Sequence, residues 1–174
     1  HLFLQQEFVY VGDEGIVEPG GKTRRYGADV SVRWQPLKQL SADANINFAH
    51  ARSIEDAKGE NYIPLAPTVT STGGINYQQN KWSAAVRYRY IANRAANEDY
   101  SITAKGYFIT DASLSYAVRK WEIGAVIENL FNSKWNEAQF ATESRLRNET
   151  TPVTELHYTP GNPFFVKLKV AVHF

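Results

Sequence analysis

Cationic and aromatic side chains gather in two polar stretches of this chain, Arg94 and Tyr100 within 94–105 and Arg145, Arg147, His157 and Tyr158 within 133–162. Guanidinium groups present forked donors to anionic oxygens, and aromatic rings stack on planar groups or cations. Together these residue types suit capture of an anionic or aromatic small molecule, such as a metal chelate. Bond-breaking chemistry has less support. The histidines His1, His50, His157 and His173 include no pair at metal-ligand spacing. Ser113 and Ser115 share a phase with Asp111, but no histidine lies close enough in sequence to complete a triad. Gly20-Gly21 and Gly73-Gly74 read as turn and curvature glycines, not phosphate loops. The expectation is a protein that is not an enzyme and uses no cofactor and no metal.

The elements that must position those residues are strands. The carboxyl end alternates over 164–174: Phe164, Val166, Leu168, Val170, Val172 and Phe174 define an apolar phase, with Lys167, Lys169 and His173 on the other. Period-two alternation is the mark of a strand with two unlike faces. A strand that stops on an apolar aromatic suits the last strand of an outer-membrane barrel, with that residue in the interfacial aromatic girdle. A strand capping a soluble sandwich is the alternative for this segment alone.

Alternation predicts eight strands in all, at 2–11, 23–35, 39–50, 68–78, 82–93, 106–118, 121–132 and 163–174. In each, one phase is apolar or small and free of charge, Gln6 being the polar exception in the first. The opposite phase carries Glu7, Arg25, Asp29, Arg33, Asp43, Arg87, Arg89, Asp111, Glu122, Glu128, Lys167 and Lys169. Acids and bases balance there, which predicts mutual pairing inside a lumen. A soluble sandwich would also keep charge off its core face, so two further features carry the distinction. Connections alternate between long and polar (12–22, 51–67, 94–105, 133–162) and tight (36–38, 79–81, 119–120). Trp34, Tyr77, Trp82, Tyr116, Trp121 and Phe174 all fall at the tight-turn end of the apolar phase. Up-and-down outer-membrane barrels have both features, with short periplasmic turns, long extracellular loops and aromatic girdles. Strands of this length cross a ~25 Å apolar band when tilted.

Composition narrows the class. Nineteen basic and eighteen acidic residues nearly cancel, so no nucleic-acid partner is expected. Cysteine and methionine are both absent, the first compatible with an exported protein lacking disulfides. The missing methionine, with His1 running straight into a strand, predicts a processed or truncated piece.

Four segments carry a family resemblance. Glu128-Asn129-Leu130-Phe131-Asn132 followed by Lys134-Trp135 resembles the Asn-Leu-Phe signature near the end of TonB-dependent outer-membrane receptors. Ile63-Pro64-Leu65-Ala66-Pro67 resembles that family's Pro-x-x-Pro lead-in to a strand. Thr23-Arg24-Arg25-Tyr26-Gly27-Ala28-Asp29 resembles its Arg-x-x-Gly-x-Glu strand, with Asp29 in place of Glu. Gly161-Asn162-Pro163 leading to Phe174 resembles its closing strand, with Phe164 where an Arg often follows the proline.

The resemblance implies an all-β antiparallel transmembrane barrel segment, residues 1–174 being the last eight strands of a 22-stranded barrel without its plug domain. It implies a Gram-negative outer-membrane location in the lipid bilayer and uptake of a scarce small-molecule ligand: an iron-siderophore, cobalamin or an oligosaccharide. The TonB complex would be engaged through the absent N-terminal region. The barrel-assembly machinery would read the terminal strand at Val170, Val172 and Phe174. Two rivals stand beside this reading. A self-contained eight-stranded barrel with a structural or adhesive role would have to pack its lumenal charges within itself. A soluble lipocalin-type barrel would need an apolar interior.

Overall fold

A computed structural model describes residues 2–5, 8–11, 16–19 and 21–172. Among them there are strands and no helix. In chain order these are β1 (Leu2–Leu4), β2 (Phe8–Val11), β3 (Ile16–Pro19), β4 (Thr23–Leu37), β5 (Leu40–Ser53), β6 (Val69–Gln79) and β7 (Trp82–Ile91). There follow β8 (Arg94–Ala95), β9 (Thr103–Ala104), β10 (Tyr107–Val118), β11 (Trp121–Glu128), β12 (Asn136–Ser144), β13 (Val153–Pro160) and β14 (Phe165–Val172). Eight of them form one antiparallel sheet in the order β1-β4-β5-β6-β7-β10-β11-β14. Neighbours in space are neighbours in sequence, so the sheet is an up-and-down meander with open edges at β1 and β14.

Two-residue turns close one end. Gln79 pairs with Trp82 and Val118 with Trp121, leaving Asn80 and Arg119 at φ 52° and 53° to reverse the chain. Trp34, Tyr77, Trp82 and Trp121 stand there, 39–64% exposed, and the Trp82 and Tyr116 rings lie 4.6 Å apart.

The two faces of the sheet differ as the alternation predicts. Val30, Val32, Ile46, Phe48, Ile75, Val86, Leu114, Ile123, Leu168 and Val170 share one face, and their exposure runs from 45% at Val86 to 84% at Leu168. Register aligns them across strands: Phe48 faces Val69, Ala112 faces Ile127, and Ile127 faces Val166. Among the described residues no packing layer covers this continuous apolar surface. Soluble monomers rarely expose one so extensive.

The other face is a lattice of paired charge. Arg87 reaches Asp43 at 2.5 Å, Arg89 reaches Asp111 at 3.4 Å, Lys169 reaches Glu122 at 3.7 Å, and Lys167 pairs with Glu128. Asn47 donates to Asp29 and Ser31 to Asn45. Two adjacent glycines shape this lattice. Gly74 lies between Asp43 and Arg87 in a cross-strand row. A Cβ there would stand 2.7 Å from Arg87 Cδ and 2.2 Å from the Val86 carbonyl oxygen. Arg87 therefore crosses β6 through the space a side chain would fill. On the apolar face Tyr88 covers Gly73 in the same way, its Cε1 2.8 Å from the Cβ position, and its hydroxyl meets Ser71 Oγ at 2.9 Å.

Three expectations are corrected. The predicted strand 2–11 is interrupted at Gln5, a bend: Leu2–Leu4 pairs with β4 and Phe8–Val11 with β3, while Gln6 and Glu7 lie outside the described residues. The predicted strand 121–132 stops at Glu128, because Asn129 turns to φ 50° and leaves the pleat. Two of the four connections expected as long and polar, 94–105 and 133–162, hold hairpins of their own, β8–β9 and β12–β13, and 12–22 holds β3, which pairs back on β2. The predicted strand 163–174 appears as β14, and Phe174 and His173 lie outside the described residues.

The two-faced sheet makes a mutational prediction for the full-length protein. Arginine at Val30 or Ile123 should cost about 2–4 kcal/mol, as charge costs on a lipid face at mid-band. Arginine at Ser31 or Ser113 on the charged face should cost far less. Unfolding in lipid vesicles measures both, and equal penalties would contradict the assignment of faces.

Candidate functional site

The two loop stretches singled out in the sequence form two blocks at the end opposite the tight turns. The first joins 51–67 to 94–105. β8 and β9 keep the register of β7 and β10, Arg94 opposing Ala104 as Ile91 opposes Tyr107, so this hairpin continues the sheet beyond its main body. Tyr62 N donates to the Glu98 carbonyl oxygen at 3.0 Å and Leu65 N to that of Ala95 at 2.8 Å. Ala95, Ala96 and Ala104 are buried beneath these contacts. Such small residues let the strands of the block approach closely.

Arg94 and Tyr100 have different surroundings in this block. Arg94 is half-buried, its Nη1 enclosed without a hydrogen-bond partner. Burial pulls its guanidinium below the usual arginine range, against a smaller opposing effect from Tyr107. Tyr100 takes φ 57° at the hairpin tip and packs on Tyr62 with ring centroids 5.1 Å apart. Arg52 lies over the far ring at 3.9 Å, giving an Arg52–Tyr62–Tyr100 stack. Beside it, the Ser101 backbone N–H and hydroxyl hold the Asp99 carboxyl below the usual carboxylate range.

The second block is built on Asn129. This side chain is 2% exposed and every polar atom on it is engaged. Its Nδ2 donates to the carbonyl oxygens of Ser133 (2.9 Å) and Asn162 (3.0 Å), and its Oδ1 accepts from Ser133 N at 2.8 Å. Its backbone N–H donates to Asp111 Oδ1 at 2.9 Å, which ties the block to the charged face. Asn132, also left-handed at φ 50°, accepts from Phe164 N at 3.0 Å. Trp135 Nε1 donates to the Asn162 carbonyl oxygen at 3.0 Å. A Cβ at Gly161 would lie 2.0 Å from the Trp135 ring, so only glycine fits against that indole. The same ring meets Tyr107 edge-on at 5.0 Å, with the Arg89 guanidinium 5.7 Å from its centroid.

These bonds fix both feet of the β12–β13 hairpin. A third anchor comes from Gln139, 1% exposed, whose amide accepts from Lys105 N and donates to Lys105 O, each at 2.8 Å. The side chain substitutes for a strand partner.

The hairpin separates the remaining sequence candidates. His157 opposes Phe140 and Tyr158 opposes Gln139, so the two neighbours point to opposite faces of the ribbon. Arg145 and Arg147 are exposed at the tip between β12 and β13. Tyr158 lines a groove of about 630 Å³ together with Lys105, Lys134, Trp135, Leu156 and Pro160. The cations of this groove, Lys105 and Lys134, were not among the sequence candidates, and no local pattern marks Lys105. Trp135 was legible only as part of the Asn-Leu-Phe motif. Among the described residues no cluster of histidine and acidic side chains could hold a metal ion.

Replacing Asn129 with alanine leaves three backbone groups without their partner and places a Cβ-bearing residue without a local hydrogen bond at positive φ. The expected cost to this block is about 3 kcal/mol. Limited proteolysis should then cut within 133–162 while the β4–β7 strands stay protected; unchanged protection of the hairpin would contradict the anchoring role.

Comparison with known proteins agrees with this architecture. The family described as TonB dependent receptor-like, beta-barrel, matches residues 5–130. No curated protein sequence matches the chain. Among solved structures, the ferric-catecholate import receptor Fiu from E. coli K12 superposes with a TM-score of 0.72 at 22% identity, covering 99% of this chain and 24% of that one. The ferric yersiniabactin uptake receptor FyuA from Yersinia pestis gives 0.72 at 16%, covering 91% and 25%. The siderophore receptor PiuA from Acinetobacter baumannii gives 0.68 at 13%, covering 98% and 24%. At these identities the likeness is one of fold, and the chain spans about a quarter of each structure. With most of its length matched by the family and its sheet superposing on their barrel walls, the chain belongs to the TonB-dependent receptor β-barrel family.

Proposed function

We propose that this chain forms part of the barrel wall and extracellular loops of a Gram-negative outer-membrane receptor for active uptake of a scarce ligand. An iron-siderophore, cobalamin or an oligosaccharide is the class of cargo, and energy arrives through the TonB complex at a region outside this sequence. The observation that carries the reading is the exposed apolar face opposed by a lattice of paired charge, within a family-matched sheet open at both edges. The apolar face meets lipid and the charged face lines the lumen. Tight turns then lie in the periplasm and the two loop blocks outside. Eight strands form the last third of a 22-stranded wall, and strands from elsewhere in the receptor cover the edges at β1 and β14. A self-contained eight-stranded barrel would instead pair β1 with β14, which here are opposite edges.

Ligand contact is assigned to the loop blocks, because loops on a rigid scaffold commonly carry recognition. Tyr158, with Lys105, Lys134 and Trp135, lines the groove best suited to an anionic or aromatic ligand. Arg94 offers a partly desolvated cation, and Tyr100 acts as part of the Arg52–Tyr62 stack. Arg145, Arg147 and His157 contribute from the tip and far face of the β12–β13 hairpin. Replacing 133–162 in the intact receptor by a short Gly/Ser connection should leave the barrel inserted and weaken uptake at least about tenfold, the loss of a little over one good contact. Unchanged uptake by a correctly inserted barrel would move recognition to the plug or the upstream loops.

Assembly is assigned to the terminal strand. Val170 and Val172 lie on the apolar face of β14, and the phase continues to Phe174. Deleting Phe174 should lower outer-membrane insertion and leave protease-sensitive receptor in the periplasm, scored by fractionation; normal membrane levels would contradict an assembly role.

A further inference from the structure

The apolar face does not stay apolar to its end. On β4 the phase of Trp34, Val32, Val30, Ala28 and Tyr26 continues to Arg24; on β5 that of Ile46 and Phe48 continues to His50 and Arg52. Register sets these residues against one another, Tyr26 opposite His50 and Arg24 opposite Arg52. Two guanidinium groups therefore face each other directly across the ladder, an arrangement that by itself destabilises a sheet. Among the described residues neither forms a salt bridge with a carboxylate. Arg52 donates to the Ala51 carbonyl oxygen at 2.8 Å and lies over the Tyr62 ring at 3.9 Å, while Arg24 is exposed. Glu55, close along the chain, binds Lys22 instead. Aromatic rings border the cluster, with Tyr26 and His50 centroids 4.8 Å apart and Phe3 opposite Arg24 on β1.

On the charged face Asp43, Asp111, Glu122 and Glu128 each hold a cation. Arg24 and Arg52 instead stand opposite each other with no carboxylate bound at the end of the lipid-facing stripe, an arrangement suited to an external anion. Its height sets the occupant. It lies past the last apolar row, at the long-loop end, where an aromatic border and snorkelling arginines mark the boundary between hydrocarbon and headgroup. We propose that Arg24 and Arg52 bind the phosphate of a lipid headgroup in the outer leaflet, with Tyr26 and Phe3 packing on its acyl chains. The inference rests on the lipid-facing reading of this face and deepens it: the chain carries a specific lipid site as well as a generic apolar band.

The test uses the intact receptor in detergent, titrated with lipid A (a diphosphorylated glycolipid), with dephosphorylated lipid A and with inorganic phosphate. Binding is read by native mass spectrometry, and folding by the melting temperature without lipid. Wild type should retain lipid A more tightly than its dephosphorylated form. The double substitution Arg24→Gln with Arg52→Gln should weaken lipid A about 25-fold, at about fivefold per headgroup-facing charge. Should the pair fail to fold, Arg24→Gln alone, at an exposed position, should weaken it about fivefold. Equal retention of lipid A by wild type and variant would overturn the proposal. So would full competition by inorganic phosphate, which would mean a small-anion site. If wild type holds neither lipid form, the lipid-facing reading itself fails; if both forms bind alike to wild type and variant, only the headgroup site fails.

Discussion

Backbone pairing is the constraint from which the other features follow. Along the apolar rows of the sheet, on the reading that they meet lipid, no water reaches the peptide groups, so each N–H and C=O there must find a strand partner. Antiparallel neighbours joined by two-residue turns meet that demand with the least chain. They also force side chains into strict alternation, and the alternation produces two unlike faces. At β1 and β14 the demand is unmet within this chain, and both edge strands present one row of unpaired backbone groups. In the proposed reading, closure of the wall by further strands would remove that liability.

The charged face shows a second consequence of alternation. Side chains that cannot point outward must share the inner surface, and bulky ions crowd one another across adjacent strands. Glycine at 74 relieves this by opening a channel through which Arg87 spans a whole strand to Asp43. Glycine at 73 does the same for Tyr88 on the opposite face. Paired glycines usually weaken a strand, but here each missing side chain is replaced by one arriving from the neighbouring strand. What read as a curvature signal in the sequence is also a packing device.

Legibility followed the range of the interactions involved. Alternation is local, so the eight sheet strands, their faces and the sites of their tight turns could be read from residue types alone. The end of β11 could not, because Asn129 leaves the pleat with partners at Asp111 and Asn162 that are remote in sequence, besides the nearby Ser133. The same is true of Gln139 and Lys105, which meet only after the hairpin folds back. The loop hairpins were hidden for another reason. β2–β3 and β8–β9 continue the registers of β1–β4 and β7–β10 past the apolar rows, while β12–β13 takes a new register after the turn at Asn129. Beyond the apolar rows alternation has no cause to persist. Arg24 and Arg52 were visible as residues, but only the register shows them opposed.

The same distinction bears on how the loops recognise a ligand. Listing cations and aromatics treats each side chain as independently available, and the fold does not leave them so. Tyr100 is stacked into a block through Tyr62, and the β12–β13 hairpin is held at Asn129, Trp135 and Gln139. In the proposed ligand role, such anchoring would present two rigid bodies rather than scattered residues, which reduces the ordering cost of binding. It also couples the outer end to the wall: Asp111 holds the Asn129 backbone and pairs with Arg89, whose guanidinium lies beneath Trp135. A shift of charge on the charged face near Asp111 therefore has a direct mechanical route to the hairpin that lines the groove.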